Sequence, residues 1–493
     1  MGMAHNRKGI KPVALVLAWN LGILLIITSL TGCGAAPAQN FGSEEEISGG
    51  AGGTATGSIT EEEIDEEVLG GRSWEEYEIL YETFCERTSY EMLSTYWGDN
   101  PPEAAMIYSP VNLYLSLAML SEMSGGGTRQ ELIDLLLEGI GICADYPASM
   151  TEKEIAEAVW KQQRDIMRGV SSQLYKRASS DTSSLANSLW FDGKRPLREE
   201  TIHGIGEAYH ALCQIGEMGN KDFDCQIQEW LNKQTGGKLG KQIAKDIETT
   251  SEDVLMLLST ILFQDKWELP FEDAATTGET FYGQHAYTCG NTTEKEKIDA
   301  VKCDFLHANL NVRAAETKKY KAVSIPMNEN YFNIILPNQG VTPESILGDK
   351  KAVDLLKLCD CNNKKWENYQ VDFSMPKLDF NTALDLIPML EQLGVKKAFG
   401  SDADFTSLQG EHDKDYNQKI YVNEAHQNSA MEVDEKGCSV ASYTKINMRE
   451  KCALPSGGEM EMHCDRPFLF MIANEKGLPL FIGVVNRIEN WEE

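Results

Sequence analysis

Residues 432–464 constrain this chain most, because they alternate like a strand and then end in residues typical of an exposed loop. After Gly437, which can act as a backbone hinge, small or apolar residues alternate with polar or amphipathic ones. The first set is Cys438, Val440, Ser442, Thr444, Ile446 and Met448, and the second is Ser439, Ala441, Tyr443, Lys445, Asn447 and Arg449. A period of two is typical of a strand with one buried face, yet residues 454–458 indicate a loop. The pattern fits either an ordinary edge strand with a turn or a segment that becomes a strand only later.

The segments that flank this stretch resemble those of the serpin family. Residues 462–472, Met-His-Cys-Asp-Arg-Pro-Phe-Leu-Phe-Met-Ile, resemble the family signature position for position. Upstream, residues 432–437 resemble the serpin hinge. The resemblance implies that residues 437–460 form the reactive-centre loop, the exposed segment that a target protease cleaves.

Further family-like motifs recur along residues 73–493. They are Ser109-Pro110 with Thr128-Arg129, the strand-like stretch around Asn187, the group Trp230, Thr235, Gly237 and Lys238, and Trp267. Helical spacing predicts a helix over residues 73–97, and two apolar runs predict a buried hairpin over residues 468–485. Strands in unequal blocks between helices predict an α+β domain. The resemblance implies the serpin fold, with three β-sheets, about eight to nine helices and an exposed reactive-centre loop.

The N-terminus reads as a lipoprotein leader. Basic residues precede an apolar run over residues 13–30, and Leu30-Thr31-Gly32-Cys33 resembles the bacterial lipobox. We predict a signal peptide over residues 1–32, lipidation of Cys33 and a flexible acidic tether over residues 33–72. The alternative is a plain transmembrane anchor. Either alternative places the domain outside the cytoplasmic membrane. Lipidation would anchor it to the bacterial membrane or cell surface, and release to the extracellular space is a further possibility.

Charge and motif content exclude several function classes. A formal net charge of −31 disfavours nucleic acid as a partner and leaves the N-terminal lipid as the contact with membrane. The twelve cysteines lack a repeated CxxC pattern, so we expect mostly buried free thiols and no metal or other cofactor. No G-x-S-x-G or H-E-x-x-H motif is present, so we expect no enzyme.

Two positions in the polar cluster beneath the main sheet depart from the family pattern. Asn112 stands where the family has Ser, and Gln427 stands where it has a buried His. With Asn187, these residues are expected to form an amide network where the sheet opens. Gln427 on the surface is the alternative. Trp267 matches the tryptophan at the top of the sheet, where the loop first enters.

The hinge also departs from the family pattern. Its predicted residues are Glu435, Gly437, Cys438, Ser439, Val440, Ala441 and Ser442. The family favours Thr or Ser after the glycine and then mostly Ala. Here the set that would face inward carries no charge and the segment contains no proline, so insertion into the sheet is permitted.

The resemblance implies a monomeric suicide inhibitor that forms a covalent acyl-enzyme with a serine protease, with cysteine proteases as a second partner class. Counting from Gly437 places the scissile bond between Lys451 and Cys452, which suits trypsin-like enzymes; Arg449–Glu450 is the runner-up. The alternative function is a non-inhibitory surface serpin that acts as a binding or adhesion module.

Overall fold

The structure, a computed structural model, mixes helices and strands along its described length. It describes residues 23–28, 39–41, 73–97, 105–140, 146–147, 149–237, 247–272, 275–283, 300–347, 366–410, 419–440 and 458–488. The predicted first helix is confirmed as α1, Trp74–Trp97. None of the helices in these ranges has the length and apolar character needed to cross a bilayer.

Polar caps fix where several helices begin. Ser109 accepts a hydrogen bond from Asn112 N at 3.3 Å and is followed by Pro110, whose fixed φ suits a first helical position. Thr151 and Glu154 form a reciprocal capping box. The helices after α1 are α2 Pro110–Met123, α3 Gly126–Leu136, α4 Glu152–Ala178, α5 Glu199–Ala208, α6 Lys221–Gln234, α7 Pro343–Leu347 and α8 Ile387–Gln392.

A large, eight-stranded sheet lies at the centre of the domain. Its strands are β1 Ile23–Thr28, β2 Gln39–Phe41, β4 Ser183–Asp192, β5 Ala211–Gly216, β6 Asp253–Lys266, β12 Leu378–Asp385, β13 Tyr421–Val433 and β14 Gly437–Val440. Their order is β1-β13-β14-β6-β4-β5-β2, with β12 on the outer side of β13 and β1 also paired to β6.

Nine further strands form a second network. They are β3 Ala105–Tyr108, β7 Thr277–Tyr282, β8 Ala300–Glu316, β9 Tyr320–Pro326, β10 Asn330–Pro337, β11 Glu367–Pro376, β15 Gly458–His463, β16 Phe468–Asn474 and β17 Pro479–Val485. The long β8 joins a group of β7, β11 and β15 to a group of β9, β10, β16, β17 and β3. The expected α+β fold with three sheets is confirmed, and the predicted buried hairpin is β16–β17.

The central strand β6 is buried on both faces because two layers of side chains cover it. Leu255 and Leu257 belong to the main core, which includes α2, whereas Met256 and Leu258 pack with Trp190 in a second cluster that includes α6. Successive side chains of a strand point to opposite faces, so this alternation is expected for a strand between two layers. The sheet is therefore held between α2 on one face and α6 on the other.

Between β6 and β13 lies the position that a newly inserted strand would occupy. β14 fills its upper part, with Val440 opposite Phe263, and β1 fills a lower part, with Ile23 opposite Ser259. Both strands run antiparallel to β6 and to β13. β1 lies within residues 1–32, which the sequence predicts to be a signal peptide.

Candidate functional site

The hinge strand β14 is already part of the large sheet. Gly437 lies opposite Lys266 of β6, and Cys438 lies opposite both Asp265 of β6 and Val433 of β13. A Cβ atom added at Gly437 would lie 2.2 Å from the carbonyl oxygen of Asp265, so only glycine fits this approach. Cys438 is buried, as expected for the inward-facing set of the alternating stretch.

A tight turn before the hinge is fixed by Asp434 and Trp267. The Asp434 carboxylate accepts hydrogen bonds from Lys436 N at 2.7 Å and from Gly437 N at 3.1 Å. The Trp267 indole donates to the Asp434 carbonyl at 2.8 Å, and Trp267 N donates to the Lys436 carbonyl at 3.1 Å. Trp267 is buried against Phe271 and Phe332, so a core aromatic also positions the hinge.

Glu435 anchors the same turn through its side chain. Its carboxylate accepts hydrogen bonds from Lys377 Nζ and Thr276 Oγ1, both at 2.7 Å. Burial acts to raise the pKa of Glu435, but these two hydrogen bonds, a backbone hydrogen bond and the charge of Lys377 together hold the pKa below the ordinary value. The hydrogen bond with Glu435 likewise raises the pKa of Lys377. The pair therefore stays ionised at neutral pH and holds the turn against the residue that joins β11 to β12.

The predicted amide cluster is buried, but its members do not join directly. Gln427 accepts from Ser109 N at 3.1 Å and donates to the Ser109 carbonyl at 3.0 Å. Asn112 instead accepts from Ser259 Oγ at 3.3 Å. Asn187 donates to the Tyr209 carbonyl at 3.0 Å, and its strand position lies opposite Ser259. The expected amide-to-amide network is therefore wrong, because each amide reaches a backbone group or a hydroxyl first.

The cluster nevertheless ties the large sheet to the helix beneath it. Gln427 of β13 is hydrogen-bonded to Ser109, the residue that caps α2. Ser259 of β6 is hydrogen-bonded to Asn112 in the first turn of the same helix. The two strands that bound the insertion position are thus each fastened to α2. The surface alternative for Gln427 is wrong, since its side chain is 1% exposed.

Several predicted residues lie outside the described part of the chain. These are Ala441 and Ser442 of the hinge, both candidate scissile pairs Lys451–Cys452 and Arg449–Glu450, and the lipidation residue Cys33. Ser439 and Val440 are placed by their backbone in β14. Their roles stay predictions.

Sequence reasoning missed the partners that hold these residues. Ser109 stood out in the sequence only as part of the family-like Ser109-Pro110 motif, and no role was predicted for Ser259. Thr276 and Lys377 carried no signal, because their contact with Glu435 joins residues far apart in the chain. A buried serine in an apolar strand such as β6 could have pointed to Ser259, since buried hydroxyls are hydrogen-bonded.

Metal ligands and reactive thiols are the groups that could carry other chemistry near this site. The described residues contain no group of three or more His, Cys, Asp or Glu side chains that could hold a metal ion. Cys85, Cys213 and Cys464 are buried free thiols, and burial raises the pKa of Cys213 to about 12. Buried thiols of raised pKa are poor nucleophiles.

Gln427→Ala tests the link between sheet and helix. Removal of the amide leaves the buried N–H of Ser109 without its partner, so we expect the free energy of unfolding to fall by about 2–3 kcal/mol. Urea denaturation measures the change. His426→Ala is the matched control, because the neighbouring side chain is partly exposed and should change stability by less than about 0.5 kcal/mol. Equal effects of the two variants would contradict the assignment.

Lys377→Met tests the ion pair that anchors the hinge turn. The variant keeps the aliphatic stem but leaves the largely buried Glu435 carboxylate without its cation, and we expect a loss of about 1–2 kcal/mol at neutral pH after allowance for partial exposure of Lys377. Because folding lowers the pKa of Glu435, the pair stabilises the protein above the ordinary carboxyl pKa. This contribution is lost as pH falls through the lowered value.

Thermal unfolding at a series of pH values measures this difference. Lys436→Met removes the same charge from an exposed residue of the same turn and serves as the control. A Lys377→Met deficit that persists unchanged into acid would show that the lysine stabilises the turn by packing rather than by its charge.

Comparisons with known proteins agree with this geometry. A family model described as "Serpin (serine protease inhibitor)" matches residues 86–488. The chain is 24% identical to alpha-1-antiproteinase F of Cavia porcellus over 392 residues. The aligned part covers 77% of this chain and 84% of that protein. It is 26% identical to plasma serine protease inhibitor of Bos taurus over 396 residues. The aligned part covers 78% of this chain and 86% of that protein.

Solved structures give the same fold. Human thyroxine-binding globulin in complex with its hormone superposes with a TM-score of 0.63 at 17% identity, covering 84% of this chain and 99% of that one. The hinge strand, the tryptophan above the sheet and the buried polar cluster beneath it lie in one continuous domain within the matched range. The chain belongs to the serpin family.

Proposed function

We propose that this serpin inhibits trypsin-like serine proteases as a suicide substrate, outside the cytoplasmic membrane. The family model and the curated relatives are those of serine protease inhibitors, and they supply the general activity. The mechanism, the target class and the location are the parts we propose. One observation supports the mechanism above all: the hinge β14 is already paired between β6 and β13.

The register of β14 supports insertion of the loop that follows it. Val440 lies opposite Phe263, so loop residue 444 would come opposite Ser259. Ile23 occupies that place in the structure. Residues 23–26 pair with β6 in the register that loop residues 444–447 would take, and residues 24–26 pair with β13 in the register of loop residues 445–447. The sheet thus accommodates a further antiparallel strand at this position without a change of register.

This placement connects the predicted leader to inhibition. Cleavage before Cys33 would remove β1 and leave the position between β6 and β13 open to the loop. Lipidation of Cys33 would then hold the domain at the membrane through the acidic tether of residues 34–72, as in bacterial lipoproteins. On this proposal, the processed chain is the active inhibitor.

In the proposed reaction, the protease serine attacks the scissile carbonyl of Lys451. An ester forms to the serine, the peptide bond breaks, and the proton from the serine passes through the protease histidine to the leaving amine of Cys452. The freed loop inserts as a central strand and draws the protease along, over a distance on the order of 45 Å for about fourteen residues at ~3.3 Å each. Distortion of the protease then prevents water from completing hydrolysis. A cysteine protease would form the corresponding thioester.

A second candidate function is a non-inhibitory binding or adhesion module. The fold also occurs in human thyroxine-binding globulin, which was solved with its hormone bound, so the fold alone does not decide between inhibition and binding. The inserted hinge and the uncharged inward-facing set favour inhibition, because a binding module does not need a loop that can enter the sheet.

Incubation of the chain lacking residues 1–32 with trypsin tests the proposal. We expect a covalent complex that survives SDS, together with a C-terminal fragment that begins at Cys452 in mass spectra. The acyl bond forms at the residue before the cut, so the fragment identifies it. Trypsin with its catalytic serine replaced by alanine is the control and should give no complex.

The outcomes separate the two functions. Cleavage without any complex would support the binding module. A complex with a fragment that begins at Glu450 would transfer the scissile role to Arg449. A fragment that begins elsewhere, away from a basic residue, would remove the trypsin-like specificity.

Val440→Arg tests insertion itself. Val440 lies two residues after the buried Cys438, so the period of a strand predicts that it belongs to the same inward-facing set. A charge there would then have to be buried when the loop inserts. We expect the yield of covalent complex to fall roughly ten-fold or more while cleavage continues. Ser439→Arg places the same charge on the opposite face and should keep the yield near that of the parent. Equal yields from the two variants would contradict the assignment of faces.

A further inference from the structure

A cavity of about 330 Å³ lies between four helices, and neither the hinge residues nor the three amides of the polar cluster line it. Its walls come from the end of α2, the start of α3, the middle of α4 and the start of α5, with Ser407 from the turn at residues 406–408. The lining residues are Glu122, Arg129, Trp160, Arg164, Arg168, Arg198, Glu200, Thr201, Gly204 and Ser407. The volume lies at the lower end of the range typical of small-ligand sites.

The cavity is positively charged in a strongly acidic protein. Four arginines and two glutamates line it, whereas the whole chain has a formal net charge of −31. Arg168 forms a two-point ion pair with Glu122, with Nε to Oε1 at 2.8 Å and Nη2 to Oε2 at 2.5 Å. The Tyr209 hydroxyl also donates to Glu122 at 2.8 Å, so both oxygens of this carboxylate already bond to the protein. One glutamate thus remains opposite three further guanidinium groups.

Arg129 is held rigidly at the edge of the cavity. Its guanidinium lies 3.9 Å from the centre of the Trp160 ring and donates to Ser407 Oγ at 2.6 Å and to the Ser124 carbonyl. Its Nε is buried and has no hydrogen-bond partner in the described part of the chain. A buried donor without a partner is rare in native structures and calls for an acceptor.

Arg164 repeats this condition on the neighbouring helix. Its Nε is also buried without a hydrogen-bond partner among the described residues, and Asp165 Oδ1 lies 4.0 Å away, beyond hydrogen-bonding distance. Burial lowers the pKa of Arg129, and repulsion from Arg164 adds to the effect, while Asp404 and Glu122 oppose it. The two guanidinium groups are therefore close enough to repel each other, with an unsatisfied donor on each.

We propose that this cavity binds a small doubly charged oxyanion of the phosphate class. A phosphate group presents several acceptor oxygens, and guanidinium groups bind it through paired hydrogen bonds. One such anion would offset the repulsion between Arg129 and Arg164. Arg198, which is exposed at the start of α5, would close the fourth side.

The limited volume favours a free anion or a small phosphate monoester over a long polymer. The two sources share the same dianionic head and differ in the group attached to it. Inorganic phosphate and glycerol 3-phosphate therefore serve as separate probes.

Isothermal titration calorimetry of the full chain at neutral pH and constant ionic strength tests the site. We expect saturable binding of phosphate or of glycerol 3-phosphate, with chloride giving no heat beyond dilution. Arg164→Gln should weaken binding roughly ten-fold or more, since it removes a charge-assisted contact. Lys161→Gln removes a charge from the exposed face of the same helix and should leave the affinity unchanged.

Thermal unfolding provides the second measurement. In the absence of anion, Arg164→Gln should unfold at or above the parent midpoint because it relieves repulsion, and phosphate should raise the parent midpoint more than that of the variant. Heat from neither probe, or binding that Arg164→Gln and Arg164→Gln/Arg198→Gln leave unchanged, would overturn the proposal. No protease is involved, so this result is independent of the inhibitory function.

Discussion

The position between β6 and β13 is the constraint on which the rest of the structure depends. The edges of two strands in the middle of a sheet present rows of N–H and C=O groups, and these must find partners. In the structure, β14 supplies the partners at the top and β1 supplies them lower down. A segment with strand geometry and an uncharged inward face can supply these hydrogen-bond partners. Two segments of the chain, β14 and β1, do so in different parts of this position.

The surrounding contacts fasten each side of this position separately. Gln427 connects β13 to the cap of α2, and Ser259 connects β6 to its first turn. Above the sheet, Trp267 and Asp434 hold the turn from which the hinge departs. The strands are thus fixed to other elements rather than to each other, which is the arrangement that a sheet needs if it is to admit another strand.

Tyr209 connects the arginine-lined cavity to the large sheet. The Tyr209 hydroxyl donates to Glu122 at the arginine-lined cavity, while its carbonyl accepts from Asn187 of β4. Local signals in the sequence foretold the strand around Asn187, the helix α1 and the hinge glycine. They did not foretell these contacts, because a polar residue in a buried element shows only that a partner is needed. The identity of that partner depends on packing.

The sequence by itself determined the family, the hinge at Gly437, the alternation that makes Cys438 face inward and the position of Trp267. Each follows from residues close together in the chain, because the alternation of a strand, a hinge glycine and a family signature are all local patterns. Only the tertiary structure decided that Gln427 bonds to Ser109 and that Glu435 pairs with Lys377. The same is true of the cavity that Arg129 and Arg164 line together. Gln427 and Ser109 are 318 residues apart. Contacts over such separations arise when the helices and strands pack together, and no local pattern encodes them.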